Sequence, residues 1–179
     1  MKSVPVLALS GTVGVGKTTV LVEIHDILST RKVPHACVER DALAYSWPTR
    51  GYFNQGMAIE NLASVWANYS RAGAECLVVA GVVEREADLE GYRRAVPGAE
   101  IRVCHLTASE YVRIERLKSR EPGSGREWHL KRTVELARLI ETSRLNAFTV
   151  LNDGRPVRDV ALEVLTMAAW FDDRREVPE

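Results

Sequence analysis

The residues with the most chemical content stand just after an apolar run near the start of the chain: Gly11-Thr12-Val13-Gly14-Val15-Gly16-Lys17-Thr18. Their spacing fits G-x-x-x-x-G-K-[ST]. The glycines let the backbone curl so that successive N–H groups point inward at one anion. A helix beginning near Lys17 adds the positive end of its dipole. Lys17 supplies a full charge for the β- and γ-phosphates of a nucleotide. The Thr18 hydroxyl is placed to ligate Mg²⁺, and Thr19 follows within the same cradle. A chance match at four specified positions in a chain of this length is on the order of one per cent or less.

Such a loop works only between a strand and a helix, and both flanks have that character. Residues 4–9 form a near-continuous apolar run, the mark of a strand buried on both faces. Residues 17–30 carry helical periodicity through Val20, Ile24, Ile27 and Leu28. Further along, strand signals at 35–39, 76–83, 101–106 and 148–151 alternate with helix signals at 58–71, 86–95, from a Thr107 or Ser109 cap to 120, at about 128–144, and at 157–170. "EPGSG" at 121–125 is a breaker between two of those helices. Alternation of this kind predicts an α/β fold: a five-stranded parallel sheet with helices on both faces. Residues 1–171 read as one domain and 172–179 as a charged tail.

Composition narrows the class. Lys+Arg and Asp+Glu both number 24, so the net charge is zero, which argues against a nucleic-acid partner. No apolar run approaches the roughly 18 residues that a membrane span needs. The apolar start flows straight into the glycine turn, which a signal-peptide cleavage would destroy. Cys37, Cys76 and Cys104 are far apart, beside apolar runs, with no CxxC pair. They read as buried thiols of a cytoplasmic protein, with metal ligation or redox work as the alternative.

Binding a triphosphate leaves the activity open, since the same loop serves kinases, GTPases, motors and regulators. A motor or GTPase usually carries an Asp at the end of a buried strand to hold Mg²⁺. Here "CLVVAGVVE" offers Ala80 and Gly81 at that place, with Glu84 beyond. With this loop, this architecture and this departure, the chain resembles the small P-loop kinases of metabolites and antibiotics. That group includes shikimate kinase, gluconate kinase, adenylyl-sulfate kinase and chloramphenicol phosphotransferase. The resemblance covers the architecture of nearly the whole chain, with the phosphate loop as its specific motif. It implies a nucleoside-monophosphate-kinase-like P-loop fold with a short lid at about 120–130. It also implies ATP- and Mg²⁺-dependent transfer of the γ-phosphoryl group to a hydroxyl of a small molecule.

Site residues follow from the resemblance position by position. In such kinases the second strand ends in an acidic residue facing the acceptor hydroxyl, and here "VERDALAYSWP" follows that strand. Asp41 is the expected base, a role that contributes about 10²–10⁴-fold. It is also expected at the metal with Thr18, in place of the absent strand-end Asp; a helix N-cap is its alternative role. Glu39 is a second acidic candidate or an ordinary surface residue. Gly81 matches a position where family members use small residues to admit the acceptor, or it allows close helix packing.

Phosphoryl transfer needs cations around the moving group and exclusion of water. Arg113, Arg116 and Arg120 are spaced i, i+3, i+7 and share a helix face, just before the Pro/Gly break. Related kinases carry a lid arginine pair, one near adenine and one on the phosphates. The resemblance puts Arg116 and Arg120 there, with Arg126 next and Arg113 behind. The alternative is a solvated basic face neutralised by Glu110, Glu115 and Glu121. His129 touches the acceptor or lies on the surface. "LNDGRPVRDV" resembles the adenine-side loop of the family, which implies that backbone groups from Asp153 to Pro156, Arg155 among them, border the base. Its alternative is a plain strand-to-helix turn.

The acceptor pocket is expected around Tyr45, Trp47, Pro48, Tyr52 and Phe53, which pack over a ring-bearing substrate or cover the core. Asn61, Ser64, Asn68 and Arg71 form a polar helical stripe that hydrogen-bonds the acceptor or faces water. Rivals to the small-molecule kinase are a nucleotide kinase and a nucleotide-binding regulator without phosphotransfer. The sequence leaves the oligomeric state open.

Overall fold

In a computed structural model the described residues are 2–120 and 145–170. The central strand β1 (Val4–Ser10) is apolar on both faces, and each face has its own helical layer. Leu7 and Leu9 pack with Val20, Ile24 and Leu28 of α1 (Lys17–Thr30) and with Val160 and Val164 of α5 (Val157–Met167). Val6 and Ala8 point the other way, toward Leu62 and Trp66 of α2 (Gln55–Arg71) and Leu89 and Tyr92 of α3 (Glu86–Ala95). This alternation along one strand is the period of two that makes a sheet two-sided.

The remaining strands are β2 (His35–Glu39), β3 (Cys76–Ala80), β4 (Ala99–Thr107) and β5 (Phe148–Leu151), and α4 (Glu110–Arg120) follows β4. All pairings are parallel, in the order β2-β3-β1-β4-β5. The expected five-stranded α/β sheet is therefore the one found. The strand order changes direction beside β1, and in open parallel sheets that switch creates a crevice at the carboxyl ends of the strands.

Several boundaries differ from the sequence expectation. The apolar run 76–83 leaves the sheet after Ala80: Gly81 N–H donates to Leu9 carbonyl and Val83 N–H to the Ser10 hydroxyl. Val83 is still buried, so the run records burial and not strand length. The α2 helix begins three residues earlier than the apolar stripe, and α5 ends at Met167, with Ala169 at a positive φ. Ser109 is the residue that starts α4, its hydroxyl accepting from Val112 N–H at 3.4 Å.

All three cysteines are free thiols. Burial, with Cys76 nearby, pushes the Cys37 thiol up to about 12; burial likewise pushes Cys76 up to about 11 and Cys104 up to about 12. Among the described residues no helix is long and apolar enough to cross a membrane. The expected helix at 128–144, most of the expected lid and the tail at 172–179 lie outside the described residues.

Candidate active site

The phosphate loop leaves the carboxyl end of β1 at the crevice. Two of its glycines are required by geometry. Gly11 has φ +143°, and a Cβ there would come within 2.4 Å of the Leu106 carbonyl oxygen. Gly16 has φ +93°, and its Cβ would meet Asn152 Nδ2 at 2.6 Å. Gly16 is also the residue before α1, so no side chain caps that helix and its first turn carries no acidic residue. A helix start without its own acceptor favours an anion from outside. Lys17 Nζ donates to the carbonyls of Gly11 (2.9 Å) and Thr12 (3.0 Å), which holds the ammonium at the loop's inner edge. Thr19 is exposed in the first turn of α1.

Elements distant in sequence hold the loop in shape. Arg116 Nη1 donates to the carbonyls of Val15 (3.2 Å) and Gly14 (3.4 Å), and its Nη2 to the Asn152 carbonyl (3.0 Å). Arg113 Nη1 donates to the Thr12 hydroxyl at 3.1 Å. Arg113 and Arg116 therefore lie on the phosphate loop and are not part of a solvated basic face. Arg113, ranked behind its neighbours from sequence, is as close to the loop as Arg116. Of Arg120 only the backbone, at the end of α4, is described; Arg126 and His129 lie outside the described residues.

Asn152 was missed in the sequence. It is 5% exposed, and its Nδ2 donates to the Val15 carbonyl at 2.8 Å, while its own N–H donates to Thr107. The only signal was its place at the end of β5, directly before the Asp-Gly turn. Asp153 accepts from Ser109 N–H at 2.8–2.9 Å and so ties the turn to α4. Arg155 donates to the Leu151 carbonyl (3.2 Å) and pairs with Glu163 (2.6 Å), and Pro156 starts α5. Replacing Asn152 with Ala removes a buried bond to the loop. We expect a loss of about 1–3 kcal/mol and a Tm lower by roughly 2–12 °C, together with weaker nucleotide binding. An unchanged melting curve would refute the buttressing role.

The two acidic residues at the end of β2 divide the site. Thr18 Oγ1 donates to Glu39 Oε1 at 2.5 Å. Glu39 pairs in register with Ala80 of β3, so its carboxylate arises beside the strand end where an Asp was absent. A hydroxyl and a carboxylate in contact form a hard oxygen donor set of the kind that suits Mg²⁺. The carboxylate in contact with Thr18 is thus that of Glu39, the second acidic candidate of the sequence. Asp41 instead opens a short 3₁₀ turn (Asp41–Ala44), with Arg40 preceding it, and it lines a cavity of about 600 Å³. Val13 of the phosphate loop lines the same cavity, as do Tyr45, Phe53 and Glu84.

Arg40 forms the cavity's buried cation, 3.4 Å from Asp41 Oδ1. Burial works against its charge, but Tyr92, Asp41 and Asp88 outweigh that and hold the guanidinium above its ordinary value. Gly81 is where a Cβ would come within 3.0 Å of Arg40, so its smallness makes room for Arg40 at the cavity. Tyr45 and Trp47 are 86% and 89% exposed, so they do not cover the core. The loop that carries them is pinned by buried Asn54, whose Nδ2 donates to the Ala44 carbonyl (2.8 Å) and the Ser46 hydroxyl (2.7 Å) and whose Oδ1 accepts from Arg50 N–H (3.0 Å). Two expected acceptor ligands are engaged elsewhere. Asn61 spends its amide on the Leu43 carbonyl at 2.8 Å, holding the 3₁₀ turn, and Asn68 accepts from Arg71 on the exposed face of α2.

No protein-family model matches the chain, and no curated protein matches it. Solved structures do. A gluconokinase from Sinorhizobium meliloti 1021 is 18% identical with a TM-score of 0.63, the match covering 95% of this chain and 94% of that one. The tunicamycin resistance protein of Deinococcus radiodurans is 19% identical with a TM-score of 0.62, covering 91% and 94%. Shikimate kinase from Acinetobacter baumannii, solved with shikimate, is 15% identical with a TM-score of 0.58, covering 93% and 94%. The chain has the fold of P-loop small-molecule kinases over nearly its full length.

Proposed function

We propose that the protein is an ATP- and Mg²⁺-dependent phosphotransferase that moves the γ-phosphoryl group to a hydroxyl of a small molecule. One observation carries this reading. Two carboxylates at one strand end serve two sides of the phosphate loop, Glu39 against Thr18 and Asp41 in a cavity that shares Val13 with the loop. A nucleotide-binding regulator has no use for the second carboxylate.

In this reading the loop N–H groups and the start of α1 hold the phosphates, and Lys17 turns from the Gly11 and Thr12 carbonyls to the β- and γ-oxygens. Thr18 and Glu39 would hold Mg²⁺, which would supply charge neutralisation for the phosphate oxygens. Asp41 accepts the proton of the acceptor hydroxyl as its oxygen approaches the terminal phosphorus in line. Arg116 and Arg113 keep the loop in its binding shape, Arg120 and Arg126 are the lid arginines proposed for the phosphates, and His129 is proposed to touch the acceptor. Arg155 and Pro156 stand in the turn proposed to border adenine, and Tyr45 at the rim of the acceptor cavity.

The neighbours' names set the chemistry of a first acceptor panel: sugar acids, hydroxylated cyclic acids, and sugar-bearing antibiotics. With ATP and Mg²⁺, at least one class should produce a phosphorylated acceptor with stoichiometric ADP. If no acceptor raises ATP consumption above background while ATP binds, the regulator reading replaces this one; transfer to nucleotides alone would make it a nucleotide kinase. Glu39→Gln should raise the Mg²⁺ concentration needed for half-maximal turnover by on the order of tenfold or more, the loss of one charge-assisted contact. An unchanged Mg²⁺ requirement would remove Glu39 from the metal.

A further inference from the structure

On the face of β2 covered by α1, two histidines meet a cysteine. His25 lies two turns along α1 from Lys17 and is exposed, while His35 and Cys37 are alternate residues of β2 and so share a face. His25 Nδ1 is 2.8 Å from His35 Nε2, with the rings tilted by 53° and their centroids 5.0 Å apart. With Cys37 Sγ added, the three ligand atoms all lie within 4.8 Å of one another. His35 Nδ1 is 2.7 Å from the Val33 carbonyl. A carbonyl only accepts, so His35 carries its proton on Nδ1 and turns the lone pair of Nε2 into the cluster. Metal-bound histidines are oriented in this way, by a backbone carbonyl on the far nitrogen.

Two imidazoles and a thiol are the wrong donors for Mg²⁺ or Ca²⁺, which take oxygen, and the right ones for Zn²⁺ and its borderline-soft relatives. A tetrahedral ion with ordinary Zn–N and Zn–S bonds sets its ligand atoms roughly 3.3–3.6 Å apart. Reaching that spacing asks for a movement of about 1 Å, available to exposed His25. We propose that His25, His35 and Cys37 bind Zn²⁺ or a related divalent cation, with water in the fourth position. On binding, the His25 proton relocates to its solvent-facing Nε2, and the Cys37 thiol proton leaves to solvent. The cation ties α1 to β2, the two elements that bring Thr18 and Glu39 together at their other ends.

The test uses the full chain, stripped with chelator and titrated with Co²⁺. The native protein should take up one cobalt with tetrahedral visible bands and a thiolate-to-cobalt charge-transfer band, both bleached by Zn²⁺. The oxygen donors at Thr18 and Glu39 cannot produce that second band. Cys37→Ser should abolish it. His25→Ala, an exposed change that leaves the core untouched, should weaken cobalt binding on the order of 100-fold with an unchanged circular dichroism spectrum. No cobalt spectrum in the native protein, a charge-transfer band that survives Cys37→Ser, or native affinity in His25→Ala would each overturn the site.

Discussion

Replacing Asp41 with Asn should lower kcat by about 10²–10⁴, equivalent to roughly 3–5 kcal/mol of barrier, while ATP affinity stays close to native. The physical reason is that Asn keeps the shape and the acceptor lone pair but cannot take a proton. Asp41 is well placed for that separation of effects. Its side chain is 54% exposed in the cavity, its nearest charged partner is Arg40, and the contact to Thr18 belongs to Glu39. In the proposed mechanism, binding of nucleotide and chemistry on the acceptor divide between these two neighbouring residues. The measurement is steady-state turnover with an active acceptor, alongside calorimetry with Mg·ATP. Normal transfer by Asp41→Asn would remove the base from the mechanism, and a parallel collapse of ATP affinity would reassign Asp41 to the nucleotide.

The second large effect is expected at Lys17. Lys17→Ala should weaken ATP binding by about 10–100-fold, the worth of a charge-assisted contact to phosphate. It should also reduce kcat by about 10²–10³, because charge on the phosphoryl oxygens then develops without its nearest fixed cation. The fold should survive. Lys17 sits half-buried at the inner edge of the loop, bonded to the Gly11 and Thr12 carbonyls, and is not part of either apolar layer. Circular dichroism and Tm serve as the control. Native ATP affinity in this variant would mean that the glycine turn does not cradle the triphosphate.

The gap between sequence and structure is instructive at particular residues. Strand and helix limits such as His35–Glu39, Lys17–Thr30 and Phe148–Leu151 were readable because burial periodicity and turn residues are local signals. The polar stripe of α2 was also readable as a shared face. Periodicity cannot say what that face meets, so the contact of Asn61 with the Leu43 carbonyl of the 3₁₀ turn was not readable from it. The same limit hid Asn54, an unremarkable Asn in sequence that pins the loop carrying Tyr45 and Trp47. It also hid the approach of His25 to His35 and Cys37, ten and twelve positions away, because only the packing of α1 on β2 joins them.

By itself the sequence determined the phosphate loop and the α/β sheet beneath it, since a cradle of eight consecutive residues needs only local backbone freedom and adjacent strand and helix propensity. Tertiary structure alone decided which carboxylate joins Thr18. The parallel register that sets Glu39 opposite Ala80 is a pairing between segments about forty residues apart. It likewise decided that Asn152, Arg113 and Arg116 brace the loop from more than one hundred positions away. Those contacts are fixed by how β5 docks against β4 and how α4 docks against the loop. Docking of that kind is a property of packed surfaces, and no short stretch of chain carries it.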